Sequence, residues 1–158
     1  VLARALILDP EFIVADEPVS MLDVSVRAGV LNLMKDITAK MNLTTVYISH
    51  DLSLIQYMCD ETAIMYLGNI VEKGNTQKVL SNPKHPYTKA LIAAVPVPGK
   101  TRTRRILLKG EIPSASSPPS GCRFHTRCPE VMNICSRKVP VRETIKGREV
   151  LCHIYDRP

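Results

Sequence analysis

The chain has 158 residues, of which 45% are hydrophobic and 23% charged, and its formal net charge is +6. This length allows one ordinary domain, or part of a larger domain with an appendage. No apolar run is long enough to cross a bilayer as a helix, which excludes a membrane-spanning helix within these residues.

The positive charge is concentrated in the last third of the chain. Residues 1–97 contain 8 Lys and Arg against 10 Asp and Glu, whereas residues 98–158 contain 13 against 5. A basic segment can bind nucleic acid or an anionic membrane surface, or it can be a solvated tail. Few aromatic residues accompany the basic ones, which disfavours stacking on bases, so we expect no nucleic-acid partner.

Helices and strands are predicted to alternate at the start of the chain. Residues 2–8 predict the end of a helix, which Pro10 stops. Residues 12–16 begin with an apolar run without alternation, which predicts a strand buried on both faces. Residues 24–41 predict a helix packed on a sheet, with an apolar stripe formed by Val26, Val30, Leu33, Met34, Ile37 and Met41.

A second strand and a hairpin are predicted further along the chain. Residues 44–49 are rich in β-branched side chains, and a strand, helix and strand of these lengths should place the two strands in parallel. The remaining predicted elements are a helix, a hairpin and two short helices, over residues 52–58, 61–67 with 70–73, 76–80 and 86–94. The fold class is therefore α/β, with a parallel sheet and helices.

The composition changes after residue 97. Residues 98–121 combine basic residues with prolines and serines, which predicts an extended linker. Residues 122–158 contain four of the five cysteines. We therefore predict three parts: an α/β portion over residues 1–97, a Pro/Ser-rich basic linker over 98–121, and a small irregular cysteine-rich extension over 122–158.

Two adjacent carboxylates follow the first predicted strand. Asp16 and Glu17 stand at its carboxyl end, the edge at which open α/β sheets bind ligands. Two adjacent carboxylates are costly to hold together, so they are expected where a cation or a phosphate chemistry needs them. His50 ends the next strand, within reach of the same crevice. Taken singly, the carboxylates could only begin a loop and cap a helix, and the histidine could be structural.

Three stretches of the chain resemble motifs of ABC-type ATPases. Residues 12–18 (Phe-Ile-Val-Ala-Asp-Glu-Pro) resemble the Walker B strand, and residues 44–51 (Thr-Thr-Val-Tyr-Ile-Ser-His-Asp) resemble the next strand with its switch histidine. Residues 20–23 (Ser-Met-Leu-Asp) resemble the D-loop, in which alanine usually stands at the place of this methionine. The resemblance implies the core of a P-loop-type ABC ATPase.

The resemblance also implies a role for each polar residue. Asp16 would order the Mg²⁺ of Mg-ATP, since this hard cation prefers oxygen ligands. Glu17 would be the general base for the water that attacks the γ-phosphate. His50 would contact the γ-phosphate and hold Glu17 and the water in position. Ser20 and Asp23 would belong to the D-loop side of the nucleotide site.

Several motifs of a complete ABC ATPase are absent from these 158 residues. They contain no Gly-x-x-x-x-Gly-Lys-Ser/Thr loop (Walker A), no glutamine loop and no Leu-Ser-Gly-Gly-Gln signature. The resemblance places that signature just before Leu2, so the core is expected to be partial. Because the missing loop supplies most of the binding energy for the triphosphate, we expect these residues alone to bind ATP weakly and not to hydrolyse it at a useful rate.

Four cysteines are spaced C-x5-C-x6-C-x16-C, at Cys122, Cys128, Cys135 and Cys152. Three close cysteines and a distant fourth favour a metal or cluster site over disulfides. Tetrahedral zinc usually shows a C-x2–4-C pair, which is absent, whereas wider spacings suit a [4Fe–4S] cluster. The cluster, a zinc ion, and free thiols or a disulfide all remain open on this pattern.

The remaining residues resemble the C-terminal extension of oligopeptide/dipeptide ABC importer ATP-binding subunits. The matching stretches are His-Pro-Tyr-Thr-Lys-Ala-Leu at 85–91, Gly-Glu-Ile-Pro at 110–113 and Pro-Pro-Ser-Gly-Cys-Arg-Phe-His-Thr-Arg-Cys-Pro at 118–129. The resemblance implies a peripheral subunit on the cytoplasmic face of the cell (inner) membrane that powers uptake of oligopeptides, dipeptides or nickel. It also implies that the four cysteines hold a [4Fe–4S] cluster.

Partners follow from the same resemblance. They would be a second ATPase subunit, identical or paralogous, two membrane permease subunits, and a solute-binding protein that acts through the permease. The alternative is a stand-alone metal- or iron–sulfur-binding structural module without ATPase activity. The combination of Asp16, Glu17 and His50 favours the ATPase subunit over that module.

Overall fold

The computed structural model describes residues 2–95, 108 and 110–156, which divide into two compact units between Cys59 and Asp60. The first unit is a helix–strand–helix–strand–helix segment. Its elements in chain order are α1 (Leu2–Leu6), β1 (Phe12–Asp16), α2 (Val24–Lys40), β2 (Thr44–Ile48) and α3 (Leu52–Met58). None of the described helices is long and apolar enough to cross a membrane.

Strands β1 and β2 pair in parallel, with Phe12 opposite Thr44 and Asp16 opposite Ile48. Helix α2 is the crossover between them, as parallel neighbours require. The predicted βαβ unit is therefore confirmed, and both strands present their carboxyl ends at one edge.

The prediction that β1 is buried on both faces is wrong for this chain. Its side chains alternate between exposed and half-buried, and Phe12 and Val14 are exposed. Burial of both faces requires a layer on each side of the sheet. The core of this unit, built on Val19, Leu31, Leu54 and Ile55, leaves alternate side chains of β1 exposed.

The predicted apolar stripe of α2 is only partly correct. Leu31 and Met34 are the buried residues of the helix, whereas Val26 and Leu33 are exposed. At 100° per residue, the buried side is rotated by roughly 80° from the centre of the predicted stripe. Several apolar residues of α2 therefore lie outside the core of this unit.

The second unit contains a four-stranded sheet with two short helices. Its elements are β3 (Glu61–Tyr66), β4 (Asn69–Asn75), α4 (Thr76–Ser81), α5 (Pro86–Ala94), β5 (Arg142–Ile145) and β6 (Arg148–Leu151), with 3-10 turns at His125–Arg127, Asn133–Ser136 and His153–Tyr155. The predicted hairpin and both predicted helices are confirmed. The extension is less irregular than predicted, because it contains the hairpin β5–β6.

The sheet of the second unit has the order β3-β4-β6-β5, and all its neighbouring strands are antiparallel. Glu72 of β4 lies opposite Val150 of β6, and Lys73 lies opposite Glu149. The hairpin of the cysteine-rich extension thus continues the sheet begun by residues 61–75. The boundaries at 97/98 and 121/122 stay predictions, and residues on both sides of them share one compact unit.

A buried ion pair joins β4 to β6. Glu72 is 0% exposed and Arg148 is 4% exposed, and Arg148 Nη1 lies 3.7 Å from Glu72 Oε1. The carboxylate also accepts N–H groups from Lys84 at 3.0 Å and His85 at 2.9 Å. Arg148 Nη1 donates to the carbonyls of Lys78 and Asn82 at 2.7 and 2.6 Å. Both charges are therefore hydrogen-bonded, as buried charges must be.

An aromatic cluster fills the space beside this ion pair. Phe124 lies 5.1 Å from Tyr66, 5.4 Å from Tyr87 and 5.7 Å from His85 between ring centroids. Phe124 belongs to the cysteine-rich extension and is 1% exposed. These ring contacts pack that extension against residues 66–87.

His85 should make the stability of this unit fall in mild acid. Burial, with a smaller effect of the Lys89 charge, lowers its pKa from 6.5 to about 4. The folded state therefore keeps His85 neutral where the unfolded chain binds a proton. Stability should be complete above about pH 6.5 and decline toward pH 4, by about 3 kcal/mol in all. Urea unfolding followed by circular dichroism at several pH values measures this decline.

The matched variant for this prediction is His85→Asn. His85 Nδ1 accepts the N–H of Tyr87 at 3.0 Å at the N-cap of α5, and an asparagine oxygen can accept the same bond without titrating. The variant should lose stability at neutral pH through poorer packing but show a shallower decline in acid. A decline as steep as that of the wild type would contradict the assignment to His85.

Candidate functional site

The candidate site begins at the residue that follows β1. Glu17 has a φ of +45°, a left-handed conformation that is uncommon for a residue with a side chain. Its N–H donates to the carbonyl of Ile48 at 2.9 Å, which ties it to the last residue of β2. Backbone strain of this kind concentrates at functional sites, where surrounding contacts hold it in place.

Glu17 and His50 form a direct contact at the carboxyl ends of the two strands. Glu17 Oε1 lies 2.7 Å from His50 Nδ1 and accepts the backbone N–H of His50 at 3.1 Å. The hydrogen bond from the His50 side chain is the largest influence and lowers the pKa of Glu17. His50 is otherwise open to solvent, with 82% of its side chain exposed. The pair is an ionised carboxylate beside an accessible imidazole, an arrangement suited to accepting a proton from water.

The three other predicted nucleotide-site residues, Asp16, Ser20 and Asp23, lie near Glu17 in the sequence but differ in their contacts. Ser20 Oγ donates to the carbonyl of Glu17 at 3.0 Å, so the turn after β1 closes on Glu17. Asp16 ends β1 and is exposed. Asp23 is the N-cap residue of α2, but its exposed side chain makes no capping hydrogen bond. The exposed carboxylate of Asp16 suits a hard cation such as Mg²⁺.

The structure brings the four predicted ligand cysteines into one region of the second unit. The N–H of Cys122 donates to the carbonyl of Cys135 at 2.8 Å. The pKa of Cys152 is raised to about 12, mainly by burial and to a smaller extent by the charges of the other three thiols. Burial likewise raises the pKa of Cys128 to about 11, with smaller effects from Cys122 and Cys135.

Backbone N–H groups point at each of the four sulfurs. The N–H groups two residues further on, at Phe124, Glu130 and Ile154, act on Cys122, Cys128 and Cys152 and lower the thiol pKa against the larger effect of burial. The N–H of Met132 lies 3.4 Å from Cys135 Sγ. Donors of this kind stabilise thiolates and tune sulfur-ligated metal centres.

The two histidines of the extension, His125 and His153, contact oxygen atoms of other residues. His153 contacts the carbonyl of Lys138 with Nε2 at 2.8 Å and Asp156 Oδ2 with Nδ1 at 2.6 Å. His125 Nδ1 lies 2.9 Å from the carbonyl of Cys122. Among residues 2–95, 108 and 110–156, no group of three or more His, Cys, Asp or Glu side chains is placed to hold a single metal ion. The placement of these side chains therefore supports neither a zinc ion nor an iron–sulfur cluster.

Sequence reasoning missed the residues that fasten this cysteine region in place. They are the Glu72–Arg148 pair, Phe124, and the ion pair between Lys89 and Glu130 at 3.0 Å. Glu72 occurs in a strand that also carries polar surface residues, so no periodicity marks it as buried. Phe124, a phenylalanine in a segment predicted to be irregular, was the one residue whose type indicated that the extension packs against another segment.

Comparison with known proteins places these features in context. Residues 71–135 match the family described as "Oligopeptide/dipeptide transporter, C-terminal region". The chain is 48% identical over 158 residues to the oligopeptide transport ATP-binding protein AppF of Bacillus subtilis, which covers 98% of this chain and 48% of that protein. It is 48% identical over 157 residues to the dipeptide transport ATP-binding protein DppF of Haemophilus influenzae, with the same shares covered. The chain thus spans about half the length of the curated relatives it matches.

Proposed function

We propose that this chain, whose residues 71–135 match the C-terminal region of oligopeptide/dipeptide transporters, is the carboxy-terminal part of the ATP-binding subunit of an ABC importer. The subunit would couple ATP hydrolysis to the uptake of oligopeptides or dipeptides. The observation that carries this proposal is the 2.7 Å contact between Glu17 and His50 at the carboxyl ends of two parallel strands.

The reaction is the attack of water on the γ-phosphorus of ATP, which releases phosphate and leaves ADP. Glu17 takes the proton that leaves the water, and His50 holds the Glu17 carboxylate in place while its exposed ring faces the γ-phosphate. When bound with Asp16, Mg²⁺ supplies positive charge against the phosphate oxygens. Ser20 and Asp23 form the turn that faces a second ATPase subunit across the nucleotide.

The proposed partners complete what these 158 residues do not contain. The 158 residues hold neither a phosphate-cradling loop nor a signature sequence. A working site therefore requires both from other segments. We assign the subunit to the cytoplasmic face of the cell membrane, where a second ATPase subunit and two permease subunits would join it. A solute-binding protein would deliver the peptide to the permease.

A deletion in cells tests the proposed function. Removing the gene of the complete subunit should abolish uptake of labelled short peptides, and restoring the wild-type gene should recover it. Restoration by a gene that encodes Glu17→Gln should fail, although the protein accumulates to the same level. Unchanged peptide uptake in the deletion strain would overturn the assignment to peptide import.

We further propose that Cys122, Cys128, Cys135 and Cys152 hold a [4Fe–4S] cluster. Two observations support it: the backbone of Cys122 is hydrogen-bonded to that of Cys135 at 2.8 Å, and the backbone N–H of Met132 lies 3.4 Å from Cys135 Sγ. A cube with one ligand on each of four irons needs its sulfurs farther apart than a single ion does. When bound, the cluster supplies a covalent cross-link among the turns of the extension.

Iron analysis tests the cluster. Protein purified without oxygen should be brown, absorb near ~400 nm and contain about four irons per chain. Cys152→Ser should lose most of the iron, because one of four thiolate ligands is removed. Cys59→Ser is the matched control, since Cys59 packs in the first unit, and its iron content should equal that of the wild type. A colourless wild-type protein with about one zinc would refute the cluster.

A further inference from the structure

Arg27 lies between the turn after β1 and the segment that carries His50. It stands in the first turn of α2, where its Nη2 donates to the carbonyl of Leu22 at 3.3 Å. Its Nη1 lies 3.7 Å from Asp51 Oδ2, and the two side chains are 32% and 35% exposed. One guanidinium therefore reaches two separate loops at the same time, which a lysine, with its single charged nitrogen, cannot do in the same way.

Asp51 is in turn fixed to the segment around His50. Its Oδ1 accepts the N–H groups of Ser53 and Leu54 at 2.9 and 3.4 Å, which caps helix α3. Its own N–H donates to Ser49 Oγ at 3.1 Å. His50 lies between these two residues, so a displacement of Asp51 moves the backbone of His50.

The contacts form a closed circuit through the candidate site. Ser20 Oγ binds the carbonyl of Glu17, and Arg27 binds the carbonyl of Leu22 two residues further along the same turn. Arg27 pairs with Asp51. The residue before Asp51, His50, closes the circuit because its ring and its backbone N–H both contact the Glu17 carboxylate. The position of the turn and the position of the Glu17–His50 pair are thereby linked.

We infer that Arg27 is a positioning residue that couples the turn of residues 20–23 to the Glu17–His50 pair. This inference rests on the proposed function, because the pair acts on ATP and the turn faces the second subunit only in that setting. Arg27 does not touch the nucleotide in this assignment. It acts by keeping His50 in contact with Glu17 when the turn of residues 20–23 contacts the second ATPase subunit.

The test uses the complete subunit in its assembled importer and compares Arg27→Gln, Asp51→Asn and the double variant. Asp51→Asn keeps an oxygen that can cap α3 while it removes the charge that pairs with Arg27. Each single variant should lower kcat for ATP about tenfold and change KM for ATP less than about twofold. Because both act through one link, the double variant should be no slower than the slower single variant.

Lys35→Gln is the matched control. Lys35 is also a cation on α2 that reaches α3, 4.6 Å from the centre of the Tyr57 ring, but it contacts neither the turn nor the His50 segment in that position. Its kcat should equal that of the wild type, and Arg27→Lys should recover part of the loss seen in Arg27→Gln.

Two results would overturn the inference while the proposed function stands. One is a wild-type kcat in Arg27→Gln with only a lowered melting temperature, which would show a purely structural role. The other is multiplication of the two single effects in the double variant, which would show that the residues act independently. An assembled wild-type importer that does not hydrolyse ATP would instead refute the proposed function, and this inference with it.

Discussion

Replacing Glu72 by glutamine is expected to destabilise the second unit by about 3–5 kcal/mol, because it leaves a buried arginine without its counter-charge. Glu72 is 0% exposed and Arg148 is 4% exposed, so water cannot replace the lost carboxylate. The carboxylate also accepts two backbone N–H groups, from Lys84 and His85. A glutamine would turn an NH₂ group toward one of them. Urea unfolding followed by circular dichroism measures the loss.

The same sheet offers a matched control for this substitution. Glu149 pairs with Arg142 at 3.0 Å between neighbouring strands, but these side chains are 45% and 42% exposed. Exposed pairs contribute about 0–1 kcal/mol, so Glu149→Gln should change the unfolding midpoint little. Equal losses in the two variants would show that burial of the Glu72–Arg148 pair is not what makes it important.

The location of this pair gives the substitution a second consequence. Glu72 lies on β4 directly opposite Val150 of β6, and Cys152 follows two residues after Val150. Arg148 also holds the carbonyls that end helix α4. A weakened pair should therefore lower the stability of the sheet and also loosen the attachment of the cysteine region to the hairpin β3–β4.

The parts of the fold that could be predicted from the sequence depend on local signals. The apolar run before Asp16, the β-branched run before Ser49 and the helical spacing between them predict parallel strands, which the pairing confirms. Parallel pairing then brings two carboxyl ends to one edge, so the meeting of Glu17 and His50 follows from topology. Gly68 and Asn69 predict the hairpin β3–β4 in the same local way.

The parts that could not be predicted depend on contacts between distant residues. Hairpin β5–β6 has four-residue strands, and its turn at Lys146 and Gly147 has positive φ at both residues. Such short strands are stable only because β6 finds β4, more than seventy residues earlier in the chain. Burial of β1 failed for a related reason: an apolar run shows that a strand can be covered, but not which other segments cover it.

The candidate site itself shows the same division. Residue type and spacing predict Asp16, Glu17 and His50 as candidates, because phosphate chemistry would need carboxylates and a strand end to present them. The role proposed for Arg27 has no such signal, since an arginine in the first turn of a helix is ordinary. Only the three-dimensional structure shows that it reaches both Leu22 and Asp51.

Glu17→Gln is expected to lower kcat for ATP hydrolysis by the complete subunit about 10²–10⁴-fold, the range for removal of a general base. Glutamine has nearly the same shape but cannot take the proton of the attacking water. ATP binding should remain, because most of it comes from the phosphate loop of the complete subunit. Phosphate release in a steady-state assay measures kcat, and equilibrium binding of a fluorescent ATP analogue measures affinity.

Two further variants sharpen this prediction. His50→Ala should also lower kcat strongly, because Glu17 loses the side chain that lies 2.7 Å from its carboxylate. Glu11→Gln, at an exposed carboxylate next to the opposite end of β1, should leave kcat unchanged. The isolated 158 residues should show no steady turnover, since they lack the phosphate-cradling loop. Turnover by these residues alone that Glu17→Gln abolishes would show that the site is complete within them, contrary to our proposal.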